Sequence, residues 1–201
     1  MHRNIHYRLY TESFIYIMKY LEIMLEIRVH GRGGQGAVTT GQLIAISAFY
    51  DKLYPQTFPK FGVERRGAPV ESYARIDSKK INLRSQIYYP DIVIVLDASL
   101  LNTVDVTKGM KKNGIIIVNT NKDKSELNIK KGFRVNTVDA TSIALNIMNK
   151  PIVNTSMLGA FAKITGMITV KSIKKAIDDR FDKEVADINK KAVQEVFENT
   201  K

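Results

Sequence analysis

The chain has 201 residues, enough for one domain with a sizeable core and at most a small appendage. It has no cysteine, which excludes disulfides and any thiolate ligand for an iron–sulfur cluster or structural zinc, and its three histidines, His2, His6 and His30, do not group into a metal site. The 31 Lys and Arg against 20 Asp and Glu give a net charge of +11, which favours anionic partners; with neither a basic arm nor an aromatic RNA motif, no nucleic acid is expected.

In chain order, residues 1–23 differ in character from the rest, being rich in Tyr, Ile, Met and His. They form an N-terminal extension that is either a mis-assigned start, with Met24 the natural one, or a short amphipathic helix packed on the domain of residues 24–201. The apolar stretch 13–25 is broken by Lys19 and Glu22, so no membrane span and no signal peptide is expected, and the cytoplasm is the expected location. A strand over 25–30 runs into a helix from about 34 to 50. An extended piece, KLYPQTF, and a polar loop, PKFGVERRG, follow. APVESYARID alternates, and a turn at Ser78-Lys79 leads to KINLR, which predicts an antiparallel hairpin. DIVIVLD (91–97), GIIIVNT (114–120) and FRVNTVDA (133–140) are continuous apolar runs of the kind found in central parallel strands, each followed by a helix-compatible segment. From Pro151 onward the pattern is helical. The fold class is α/β: three layers around a mainly parallel Rossmann-like sheet, with an inserted antiparallel hairpin and C-terminal helices.

Four glycines crowd into IRVHGRGGQG at the junction of the first strand and helix. Gly31, Gly33 and Gly36 satisfy the spacing of a dinucleotide fingerprint, and Asp51 lies 20 residues beyond Gly31, but at the beginning of the next extended segment instead of its end, where the ribose-binding carboxylate belongs. The glycines could equally serve tight strand–helix packing. The favoured reading is an anion contact by backbone N–H groups at a helix N-terminus, with Arg32 and Gln35 adding side-chain donors and Gly34 extending the turn. A second constellation is Glu64, Arg65 and Arg66 between Gly62 and Gly67, where adjacent arginines can present a guanidinium fork to phosphate or carboxylate, or simply form a solvated loop. Ser85, Gln86 and Asp97 also fall where α/β sheets place ligands, and Asp97 reads equally well as a helix N-cap. No Ser-His-Asp set, catalytic carboxylate pair or Walker lysine is visible, so the chain lacks complete machinery for most reactions.

HGRGGQGAVTTGQLIA, FPKFGVERRGAPVESYARID, LRSQIYYPDIVIVLD and NTSMLGAFAKITG, in this order and spacing, closely resemble the gamma subunit of 2-oxoacid:ferredoxin oxidoreductases, from about Met24 to near the C-terminus. The pyruvate (pyruvate synthase) and 2-ketoisovalerate members look most similar. The resemblance implies one subunit of an enzyme that converts a 2-oxoacid and coenzyme A to acyl-coenzyme A and carbon dioxide while reducing ferredoxin. It implies alpha and beta subunits holding thiamine diphosphate and Mg2+, and a delta subunit holding 4Fe-4S clusters. It also implies a gamma chain beside the active site that helps form the coenzyme A side and the subunit interface, with Gly31, Arg32, Gly33, Gly34, Gln35, Gly36, Glu64, Arg65 and Arg66 as contacts to the ligand or to partner subunits and no catalytic residue. Two readings of another class are a free-standing dinucleotide-binding protein and a purely structural subunit.

Overall fold

In the computed structural model, residues 24–60 and 66–200 are described; the N-terminal extension and the Glu64 and Arg65 predictions lie outside these residues. Six strands form one sheet in the order β2-β3-β1-β4-β5-β6. They are β1 (Leu25–Arg32), β2 (Tyr54–Pro59), β3 (Pro69–Asp77), β4 (Ile92–Val95), β5 (Ile115–Asn119) and β6 (Arg134–Val138). β1, β4, β5 and β6 are mutually parallel, and β3 is antiparallel to both β1 and β2. β2 therefore points the same way as β1, and β3 alone runs against the rest. The antiparallel pair is present with a different second strand. KINLR lies outside the sheet, because β3 has β1 on one side and β2 on the other and offers no free edge. Pro55 and Pro59 suit β2 to the outer position, where a missing N–H breaks no ladder.

One face of the sheet carries the five α-helices of the described residues, α1 (Ala37–Tyr50), α2 (Ala140–Met148), α3 (Met157–Thr165), α4 (Val170–Arg180) and α5 (Lys183–Asn199), over a core that includes Ile27, Val29, Leu43, Ile44, Ile94, Phe161 and Val193. The other face has no α-helix among the described residues. After β4 and β5 the chain makes only 3-10 turns, Ala98–Asn102 and Lys124–Glu126, and a smaller cluster of Val93, Val95, Leu100, Val106, Ile116 and Val118 fills that side. Towards β3 this same face becomes polar yet stays buried. Arg75, 1% exposed, donates to Glu26 at 3.0 Å and to Gln56 at 2.9 Å and stacks on Phe58, while Arg28 donates to the carbonyls of Val106 and Lys108. Each of these guanidiniums finds acceptors, as burial of a charge requires.

Candidate functional site

The chain leaves β1 and β4 in opposite directions. After β1 it turns into α1 on the helical face, and after β4 it turns to the other face, where Leu100 and Leu101 are buried. Strand order therefore reverses between β1 and β4, and the crevice beyond their carboxyl ends is where open α/β sheets bind ligands. A cleft of about 670 Å3 lies there, with the turn Gly34–Gly36 on one side and Asp97–Ser99 on the other. Asn119, at the end of β5, and the segment Pro151–Asn154 complete its wall.

Arg32 and Gln35 are bound to the protein at several points. The Arg32 guanidinium donates from Nε to Asp97 Oδ2 at 3.1 Å, from Nη1 to the Gly67 carbonyl at 3.0 Å and from Nη2 to Ser99 Oγ at 2.8 Å. Gln35 accepts from the Arg32 N–H at 2.7 Å and donates to the same Asp97 oxygen at 2.9 Å. Asp97 Oδ1 accepts from the N–H and hydroxyl of Ser99, capping the 3-10 turn. Burial alone would raise the Asp97 carboxyl; the hydrogen bonds from Ser99 and Gln35 and the Arg32 charge outweigh it and hold the group below the ordinary carboxylate value. Asp97 is thus ionised at neutral pH and is the common acceptor for both sides of the crevice.

The glycine turn is also joined to the loop between β2 and β3. Gly33 N–H donates to the Ala68 carbonyl at 2.8 Å, and Gly67 N–H to the Gly33 carbonyl at 3.1 Å. The two constellations picked out in the sequence therefore touch, and Arg66 stands exposed beside them. Gly36, the residue before α1, has φ +82°, and a Cβ there would come within 2.4 Å of Asn154 Nδ2. Glycine is required at that position by both conformation and space. Gly34 has φ +92° and faces open space. Gly31 is a packing position, where a Cβ would stand 3.2 Å from Ala37 Cβ and 3.3 Å from Leu96 Cδ1. Among the described residues, no protein acceptor meets the N–H groups of Gly34 and Gly36 at the positive end of α1.

One sequence expectation is corrected: Gln86 lies at the other end of the sheet, its carbonyl accepting from Arg75 at 3.4 Å beside Glu26. Asp51, already misplaced in the sequence for a ribose-binding carboxylate, sits at the far end of α1 from the glycines and binds Thr169 N–H at 2.7 Å and the Ser172 hydroxyl at 2.6 Å, so it joins α1 to the start of α4. Asn119, Thr141 and Asn154 also belong to the cleft wall, and nothing in their sequence context distinguished them.

The family description "Pyruvate ferredoxin/flavodoxin oxidoreductase" matches residues 26–199. The chain is 54% identical to the pyruvate synthase subunit PorC of Methanocaldococcus jannaschii over 174 residues, 87% of this chain and 96% of that one. It superposes on the crystal structure of pyruvate oxidoreductase subunit PORC of Thermotoga maritima with a TM-score of 0.77 and 39% identity, covering 89% of this chain and 97% of that one. A more distant likeness, with 21% identity and a TM-score of 0.71, is to a 2-oxoglutarate:ferredoxin oxidoreductase of Magnetococcus marinus with 2-oxoglutarate, coenzyme A and succinyl-CoA bound; it covers 86% of this chain and 30% of that one. The chain belongs to the pyruvate ferredoxin/flavodoxin oxidoreductase family.

Proposed function

We propose that this chain is the gamma subunit of a cytoplasmic pyruvate:ferredoxin oxidoreductase, and that the crevice between β1 and β4 forms part of the coenzyme A side of its active site. The reaction is the oxidative decarboxylation of pyruvate with coenzyme A to acetyl-CoA and CO2, the electrons passing to ferredoxin. The observation that carries the site assignment is the contact between the glycine turn and the 66–68 segment at the carboxyl ends of the strands. It joins the segment that carries the exposed Arg66 to a glycine turn whose backbone N–H groups at Gly34 and Gly36 meet no acceptor among the described residues, at the N-terminus of a 14-residue helix and one edge of a cleft sized for part of a small-molecule ligand. Coenzyme A is a polyanion, and its phosphates suit those donors. In this reading Gly34, Gly36 and Arg66, together with Arg65, meet the ligand, whereas Gly31, Arg32, Gly33 and Gln35 shape the turn.

Thiamine diphosphate, Mg2+ and the iron–sulfur clusters belong in this reading to the alpha, beta and delta subunits. The chain has no cysteine to offer a cluster, and among the described residues no group of three or more His, Asp or Glu side chains could hold a metal ion. The partner groups supply the decarboxylation and electron transfer, and this chain supplies binding and orientation for coenzyme A.

The test is kinetic, on the assembled complex. Replacing Arg65 and Arg66 together by Ala should raise the KM for coenzyme A by about tenfold, the effect of losing one or two charge-assisted contacts, while the KM for pyruvate stays the same. Unchanged coenzyme A kinetics with normal assembly would overturn the assignment.

A further inference from the structure

We propose that Asp97 is a positioning residue, a latch that fixes the glycine turn for coenzyme A through Arg32 and Gln35 without touching the ligand; this inference rests on the reading of the crevice as the coenzyme A side of the site. The two carboxylate oxygens have separate tasks. Oδ1 caps its own 3-10 turn through Ser99, a local role that any capping aspartate performs. Oδ2 is aimed away from that turn, at Arg32 Nε and Gln35 Nε2, which lie 65 and 62 residues away in the chain. Capping gives no reason for this second pair of bonds.

The effect of the latch follows from what it holds. Gln35 ties Asp97 Oδ2 to the Arg32 N–H, and Arg32 ties Asp97 to the Gly67 carbonyl. One carboxylate therefore sets the glycine turn, the end of β1 and the 66–68 segment relative to the wall of the cleft. Gly34 and Gly36 both have positive φ, and a Cβ on Gly34 would meet nothing within 4 Å among the described residues. Such a turn loses much conformational freedom on ordering, so a pre-formed latch lowers the entropic cost of binding. Arg32 also balances the carboxylate charge, which otherwise would repel an anionic ligand.

Asp97→Asn separates the two tasks. The amide oxygen can still cap through Ser99, but the amide nitrogen then faces two donors, Arg32 Nε and Gln35 Nε2, and the latch is lost. In the assembled complex this variant should raise the coenzyme A KM by about tenfold or more, the scale of lost hydrogen bonds to a charged group, leaving the pyruvate KM and the kcat at saturating coenzyme A within about threefold of the parent. Adding Gln35→Glu to Asp97→Asn should bring the coenzyme A KM part of the way back, because the new carboxylate accepts both from the amide that replaces the Asp97 carboxylate and from the Arg32 N–H, while Arg32 Nε remains without that acceptor. A role confined to capping or stability would not be restored this way. Gly34→Ala, strained at φ +92° within the turn itself, tests the underlying reading separately. If Gly34→Ala raises the coenzyme A KM and Asp97→Asn does not, the latch is overturned and the reading stands; if neither does, the reading itself fails. Loss of assembly, or an equal rise in both KM values without restoration by Gln35→Glu, would also overturn the latch.

Discussion

His30 stands in β1 opposite Glu71 of β3, 2% exposed, with no hydrogen-bond partner for Nε2 among the described residues. Burial pushes its imidazole down to about 4 from the ordinary 6.5, against the pull of Glu71. Above pH 6.5 both the folded and the unfolded chain hold it neutral. Between 6.5 and about 4 only the unfolded chain takes up the proton, so stability falls as the pH drops through that window. At pH 5 the His30 contribution is a loss of about 2 kcal/mol, at ~1.4 kcal/mol per pH unit. Denaturant unfolding at pH 7 and pH 5 checks this: His30→Met should flatten the difference between the two pH values by that amount, and an unchanged difference would contradict it. Glu71 itself lies below the ordinary carboxylate value: burial raises it, but the Tyr73 hydroxyl at 2.7 Å, the His30 charge and the nearby Lys60 together outweigh burial. Single residues were legible in the sequence to the extent that their roles are local. Asp97 was recognisable as an N-cap from its place at the end of a strand, whereas its bonds to Arg32 and Gln35 depend on β1 and β4 lying side by side. The same limit applied to Asp51, which sits near a strand start in sequence but bonds to residues 118 and 121 positions away.

At the scale of elements, apolar patterning located the six strands and five α-helices of the described residues, and failed where tertiary pairing or local chemistry decided the outcome. KINLR has strand-like alternation, yet the place beside β3 is taken by YPQTFP. The segments after β4 and β5 have helix-compatible apolar spacing, but Thr103, Val104, Val106 and Thr107 are β-branched, and Asp105 captures the Thr107 N–H at 3.0 Å in a competing turn. After β5, the Asp123–Glu126 capping box supports a single short turn. Elsewhere, close packing between helices fixes residue choice. Gly159 in α3 lies so near α5 that a Cβ would stand 2.3 Å from the Val193 carbonyl oxygen and 2.9 Å from the Phe197 nitrogen. These are backbone atoms of a helix that also packs on α2 and α4, so it cannot move aside alone. Gly159→Ala should lower stability by about 1–3 kcal/mol as an overpacked core position, despite the better helix propensity of Ala; a neutral or raised melting temperature would contradict it.

Across the whole molecule, the helices gather on one face of the sheet and irregular segments on the other, and the change of face between β1 and β4 opens the crevice. The order of strands and the junction of the glycine turn with the 66–68 segment could not be read from spacing, because they depend on β3 returning antiparallel beside β1. The resemblance supplied the family, and the geometry adds that Arg32 and Gln35 are held by Asp97 and that Gly33 bonds to the 66–68 segment. The central claim is that this crevice faces coenzyme A. The most direct measurement is amide hydrogen exchange on the assembled complex with and without coenzyme A, read over residues 33–40 and 66–68. Slower exchange in both segments on adding coenzyme A is the expected result; no change in either, with protection confined to the other subunits, would contradict the claim.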